Sequence, residues 1–175
     1  MTDPGLESAL VVEVPEAEAA VAGHRERLDE NAAMGIPAHI TVMAPFLPPA
    51  AIGPPVLDEL SRLFGGLPRF RFWLARTAWF GDQVLWLAPD DPGPFRALTG
   101  RVFAAFPACP PYGGQHEDVI PHLTVGLRQP LADMRAAEEA LRPHLPIEAQ
   151  AAAVALLVGP ASGGQWTRTA RFPLA

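Results

Sequence analysis

Two short segments hold the residues best suited to chemistry. One is Ile36-Pro37-Ala38-His39-Ile40-Thr41-Val42, and the other is Val119-Ile120-Pro121-His122-Leu123-Thr124-Val125-Gly126. Each reads His, apolar, Thr, Val, with a proline just upstream. Apolar residues alternating with polar ones are the pattern of a half-buried strand. His39 and Thr41 therefore project from one side of their strand, as do His122 and Thr124, while Ile40, Val42, Leu123 and Val125 face a core. An imidazole titrates near neutrality, so one His can take a proton from an attacking oxygen while a second gives one to a departing oxygen. A Thr hydroxyl roughly 6.7 Å further along each strand can donate to the non-bridging oxygens of a phosphate held between them. The chemistry on offer is general acid–base catalysis, with a hydroxyl donor beside each imidazole.

Other readings of these residues are narrower. A metal site is disfavoured, because neither motif carries a second His or a carboxylate two residues on, and Glu117 and Asp118 lie off the His/Thr face or beyond it. No cofactor is indicated. Arg128 shares the strand parity of His122 and Thr124, so it points into the same cleft as a phosphate ligand if the strand persists past Gly126. Phe46 and Tyr112 stand beside the motifs, where an aromatic ring can stack on a base or simply pack. Trp79, Phe80, Trp86 and Trp166 read as core or hairpin residues. His24, His116 and His144 read as helix, loop and inter-proline residues without a catalytic role. Cys109, the single cysteine, has no partner for a disulfide or a zinc site.

The chain of 175 residues is 49% apolar and 18% charged, the balance of one globular body able to bury a real core. Its acidic start and the shortness of its longest apolar run, Ala151 to Val158, suggest a cytoplasmic protein without a membrane anchor. A net charge of −6 argues against a broad hold on long duplex nucleic acid but leaves room for a local cationic pocket. All 13 basic residues are Arg, so a cationic phosphate contact must come from a guanidinium, whose planar fork suits phosphate oxygens. A monomer is expected.

The elements that must position the motifs follow from periodicity and punctuation. A strand over 9–14 precedes a helix from Pro15 to about Glu30; Gly35 introduces the first His strand, which Pro45, Pro48 and Pro49 close. A helix over 54–64 stops at Gly65-Gly66, and stretches 70–80 and 84–88 form a hairpin about Gly81-Asp82. A helix opening at Asp91-Pro92-Gly93-Pro94 ends at Pro107. A Pro/Gly-rich loop over 107–117 then leads to the second His strand. A helix over 132–141, one long strand over 147–158 and a last strand over 166–172 complete the chain. The motifs stand 83 residues apart, close to half the chain, and the same five elements recur around each, so an internal duplication with halves of about 8–80 and 83–174 is expected.

These residues resemble the two-histidine (2H) phosphoesterase superfamily, and within it the bacterial 2′-5′ RNA ligase-like proteins. The likeness rests on the two His-x-Thr-x motifs half a chain apart. It extends to Gly35-Ile36-Pro37-Ala38-His39, Pro45-Phe46, Val84-Leu85-Trp86-Leu87, Pro111-Tyr112-Gly113, Pro121-His122 and the terminal run from Trp166 to Phe172-Pro173-Leu174. The resemblance implies an α+β fold of duplicated ferredoxin-like halves, a bilobed cradle of mostly antiparallel sheets around a central cleft. It implies metal-independent action on 2′,3′-cyclic phosphates or 2′-5′ phosphodiesters of nucleotides or RNA ends. By the same resemblance His122 is the base on water and His39 the acid on the leaving ribose oxygen, an assignment that the residues themselves leave open. A module that binds a nucleotide or RNA end without cleaving it is the alternative.

Overall fold

The computed structural model describes residues 5–115 and 118–175. Its elements are β1 (Leu6–Glu13), α1 (Glu18–Leu28), a one-turn α2 (Glu30–Ala33), β2 (His39–Met43), α3 (Pro54–Gly65), β3 (Phe70–Phe80) and β4 (Val84–Pro89). They continue with α4 (Gly93–Ala105), β5 (Leu123–Leu127), α5 (Leu131–Leu141), β6 (Ile147–Ala151), β7 (Ala153–Pro160) and β8 (Thr167–Pro173). His116 and Glu117 lie outside the described residues.

The strands form two antiparallel four-stranded sheets, ordered β2-β1-β7-β8 and β5-β4-β3-β6. The result is the bilobed α+β arrangement with mostly antiparallel sheets. Each sheet carries a His strand at its edge, and β2 and β5 lie against each other, so the two lobes meet along the motifs. The lobes do not follow the linear halves. β3, from the first half, pairs with β4 and β6 in the second sheet, while β7 and β8, from the end of the chain, pair with β1 in the first.

Two elements differ from the sequence expectation. The helix expected over 15–30 is a 3-10 turn at Pro15–Ala17, then α1, then α2. Asp29 interrupts it in an extended conformation (φ −125°, ψ 107°), and its carboxylate accepts from Asn31 N at 3.0 Å, a local N-cap that outcompetes helix continuation. The single strand expected over 147–158 is two strands, β6 and β7, which join different sheets on either side of Ala152. An apolar run reads alike on both sides of such a crossing, because each part is buried against its own sheet.

The core fills the space between helices and sheets. Phe72 and Phe95 are buried edge-to-face with centroids 4.9 Å apart, and Phe64, Leu74, Leu85, Leu87 and Leu123 are among the side chains removed from solvent. Each such residue contributes roughly 1.5–3 kcal/mol by leaving water. The helices also exchange partners: α1 packs on β5 and α4 packs on β2, so each lobe's helix covers the other lobe's His strand. Among the described residues no helix is long and apolar enough to cross a membrane.

Candidate active site

Both motifs share three local devices. First, each His ring is tied to the carbonyl two residues before it. His39 Nδ1 lies 2.8 Å from Pro37 O, and His122 Nδ1 lies 2.7 Å from Ile120 O. A carbonyl oxygen only accepts, so Nδ1 of each ring carries the proton and donates, which leaves Nε2 with its lone pair for other work.

Second, each strand bulges just after its Thr. Thr41 stands opposite Val11, but Met43 stands opposite Leu10; Thr124 stands opposite Trp86, but Gly126 stands opposite Leu85. Val42 and Val125 are the extra residues, and the alternation fails there, since Val42 and Met43 are both buried, as are Val125 and Gly126. The bulge in β2 frees the carbonyl of Val42, and the buried hydroxyl of Thr99 on α4 donates to it at 2.7 Å. Bulges of this kind re-aim side chains at the end of a ladder.

Third, an arginine from a helix holds the carbonyl three residues before each His. Arg25 Nη2 donates to Ile36 O at 3.0 Å, and Arg96 Nε donates to Val119 O at 3.0 Å. On the His39 side, Glu18 Oε1 also accepts from Ala38 N at 2.7 Å, so α1 grips the approach to His39 by two side chains.

The electrostatics are those of partly desolvated imidazoles. Burial pushes His39 down to about 4, against the Pro37 carbonyl that favours its cation, and the Arg25 and His122 charges lower it further. The two rings share one region because their strands, β2 and β5, lie against each other. His122 is likewise held below its ordinary value by burial, opposed by the Ile120 carbonyl. The burial around His122 is aromatic: Phe80 meets it edge-on at 5.0 Å, Trp86 lies 5.8 Å away, and these two rings stack at 4.6 Å.

The remaining expected site residues divide. Thr41 and Thr124 are half-buried on the faces of His39 and His122. Phe46 is no stacking platform: it is buried in the core, edge-on to Phe106 at 5.2 Å, because the chain after β2 turns inward and Phe46 N donates to Ser8 O. Tyr112 is half-buried and its N donates to Ala44 O at 3.0 Å, which brings the turn over Pro111–Gly114 against the end of β2. Arg128 does not share the face of His122 and Thr124. The bulge at Val125 shifts the register by one residue, and Arg128 leaves the strand with φ +52°. His24 bonds Arg27, and His144 is exposed. Among the described residues no three His, Cys, Asp or Glu side chains come together as metal ligands.

Comparison with known proteins now bears on the whole arrangement. The family model for the 2′-5′ RNA ligase superfamily matches residues 13–161, a span that contains both motifs and both bulges. The chain belongs to the 2′-5′ RNA ligase superfamily. No curated protein matches it. Among solved structures, TT0787 of Thermus thermophilus is similar at a TM-score of 0.62 and 19% identity, with 96% of this chain and 97% of that one covered. E. coli LigT complexed with NADP+ is similar at 0.59 and 18%, with 98% of each covered. LigT complexed with 3′-AMP is similar at 0.55 and 19%, with 98% and 99% covered. At these identities the likeness is one of fold.

Within this superfamily member, sequence reasoning missed Phe80, Trp86, Arg25 and Arg96. A signal for the aromatics was present. Trp86 has the opposite parity to the core-facing Leu85 and Leu87, so a large ring stands on the open face of the hairpin. Arg25 and Arg96 carry no such signal, since their acceptors are backbone carbonyls distant in sequence.

Proposed function

We propose that this protein is a metal-independent phosphoesterase that acts on 2′,3′-cyclic phosphates, or on 2′-5′ phosphodiesters, of nucleotides or RNA ends. The observation that carries the reading is the matched tethering of His39 and His122 by Nδ1, which leaves two Nε2 atoms on adjoining strands. In hydrolysis of a cyclic phosphate, His122 Nε2 accepts the proton of a water whose oxygen attacks phosphorus. His39 in its protonated form gives a proton through Nε2 to the leaving ribose oxygen as its bond to phosphorus breaks. The roles exchange in the reverse direction. Thr41 and Thr124 donate to the non-bridging oxygens. Each positioned acid or base contributes typically ~10²–10⁴-fold.

The lowered affinities of both imidazoles for protons favour neutral rings in the empty site. A bound phosphate anion supplies the charge that restores a proton to one of them. The nucleotides in the LigT complexes, 3′-AMP and NADP+, support a nucleotide substrate here. If the phosphate fails to restore that proton, the same cleft holds nucleotides without cleaving them, which is the second reading.

The test is hydrolysis of nucleoside 2′,3′-cyclic phosphates and cyclic-phosphate-ended RNAs in EDTA, with His39→Ala and His122→Ala alongside. Turnover that EDTA leaves intact and either substitution cuts by about a hundredfold or more is expected. Dependence on added metal, or full activity in either variant, overturns the proposal, and tight nucleotide binding without product supports the binding module.

A further inference from the structure

We infer that the cleft beyond His122 is a second anion subsite, which takes the phosphate on the 5′ side of a cyclic-phosphate end. The substrate class is then an oligonucleotide end in preference to a mononucleotide. The inference rests on the reading of His39 and His122 as the phosphate-reactive pair.

The cleft is an open cavity of about 540 Å³ whose walls include Ile120 and Pro121, directly before His122, together with Trp86, Arg76, Asp90 and Arg96. It adjoins the candidate site, because its wall residue Trp86 stands opposite Thr124 and packs against the His122 ring. Ala78 stands opposite Trp86, and Arg76 is two residues further along β3. A bulge between Leu74 and Arg76 alters the alternation there and leaves Ala75 and Arg76 both exposed at the cleft. Arg76 lies two strands from β5, roughly 10 Å between main chains, a gap that an arginine side chain largely spans.

Charge distinguishes this side of the site from the other. Arg25 and Arg96 hold equivalent carbonyls before the two His residues, but Arg25 is buried and paired with Asp29 at 3.0 Å, whereas Arg96 is exposed and has Gly100 at the corresponding position four residues on. Among the described residues neither Arg96 nor Arg76 takes part in an ion pair. The Nε of Arg96 is engaged with Val119 O, so its two Nη groups remain as donors. Asp90 is the carboxylate in the lining, and its Oδ1 already accepts from Trp73 N at 2.9 Å. On the side of His39 the charge is closed instead: Glu13, opposite His39 in register, is paired with Arg168 at 3.1 Å.

A separate observation points to a ligand. Trp86 is 6% exposed, and its Nε1–H is buried without an acceptor. A buried donor left unpaired costs free energy, and an oxygen brought in by a bound ligand, after a small shift of the indole, would satisfy it. Two guanidinium groups without an ion pair among the described residues and an indole donor at the wall of one cleft suit a phosphodiester next to a base.

The test begins with binding, which does not depend on turnover. The intact protein is titrated with 3′-AMP and with the dinucleotide ApAp, which adds one internal phosphate, by calorimetry at low salt. The dinucleotide is expected to bind roughly tenfold to a hundredfold more tightly, the increment of a charge-assisted phosphate contact, and added salt reduces that advantage. In Arg76→Gln and Arg96→Gln the ratio of the two affinities falls toward one, and Arg76→Lys restores part of it. The same ratio in kcat/KM is then read with cyclic-phosphate-ended ApA against adenosine 2′,3′-cyclic phosphate. Equal affinities in the wild type, or a ratio that both glutamine variants leave intact, overturn the subsite. Turnover of the mononucleotide without a dinucleotide advantage removes the subsite and leaves the phosphoesterase reading standing. A dinucleotide advantage in binding without any turnover does the reverse, and no binding of either ligand removes both.

Discussion

His39→Asn should flatten the acid sensitivity of this fold. Burial holds the folded-state His39 at about 4, against an ordinary value of 6.5. Between those values the unfolded chain binds a proton at this residue and the folded chain does not. The unfolded state therefore binds more protons, and the stability of the wild type rises with pH across this window. The contribution is complete above 6.5 and is lost as pH falls toward 4. A displacement of that size corresponds to at most about 3 kcal/mol, a large share of the stability of a domain this small. Asn is the informative replacement because its side-chain amide can still donate to Pro37 O, the bond that now orients the ring, while it carries no proton that titrates.

Urea unfolding of both proteins at about pH 7 and about pH 4.5, in buffer without phosphate, measures the effect. The difference in stability between wild type and variant should shift by about 2–3 kcal/mol in favour of the variant at the lower pH. The His122 contribution, also lowered by burial, is common to both proteins and largely cancels. Parallel pH dependences in the two proteins would refute the claim that this ring is desolvated in the folded state.

Three further outcomes follow from the same geometry. The kcat/KM profile for a cyclic phosphate should peak below pH 6.5, because both imidazoles of the free protein lie below that value, while kcat, which reports the bound state, peaks higher; a kcat/KM optimum well above neutrality contradicts the burial argument. Asp29→Ala should cost about 3–5 kcal/mol in urea unfolding, since it leaves Arg25 charged, buried and unpaired; a loss under about 1 kcal/mol would mean the pair is solvated. Gly159→Ala should destabilise by at least about 1–3 kcal/mol and change the fluorescence of Trp166, because an added Cβ would sit 2.2 Å from that indole; an unchanged spectrum and midpoint would place the ring elsewhere.

Much of this molecule can be read from local sequence because its signals are local. The His-x-Thr alternation reports two half-buried strands, and Gly81-Asp82 reports the hairpin of β3 and β4. The helices α3, α4 and α5 follow from apolar spacing between proline and glycine boundaries, and the recurrence of the motif reports two comparable strands, one at the edge of each sheet. Where the reading failed, the deciding interaction was a register or a distant partner. Alternation counted through Val125 carries Arg128 to the wrong face, since a bulge depends on the strand alongside and leaves no mark in composition. Phe46 beside a motif looks like a site residue until Phe106, sixty residues later, covers it.

By itself, then, the sequence determined that two His-x-Thr pairs are suited to acid–base chemistry, the faces on which those pairs stand and the α+β composition of the elements, all consequences of period, punctuation and side-chain type. Only the tertiary structure decided that β3 and β7 cross between lobes and that α1 and α4 each cover the other lobe's His strand. It also brought Arg25 and Arg96 to the carbonyls before the two His residues, and Phe80 and Trp86 to the His122 ring. The physical reason is that packing and backbone hydrogen bonds between residues far apart in the chain are selected by the collapse of the whole core, and no short window of sequence holds both partners.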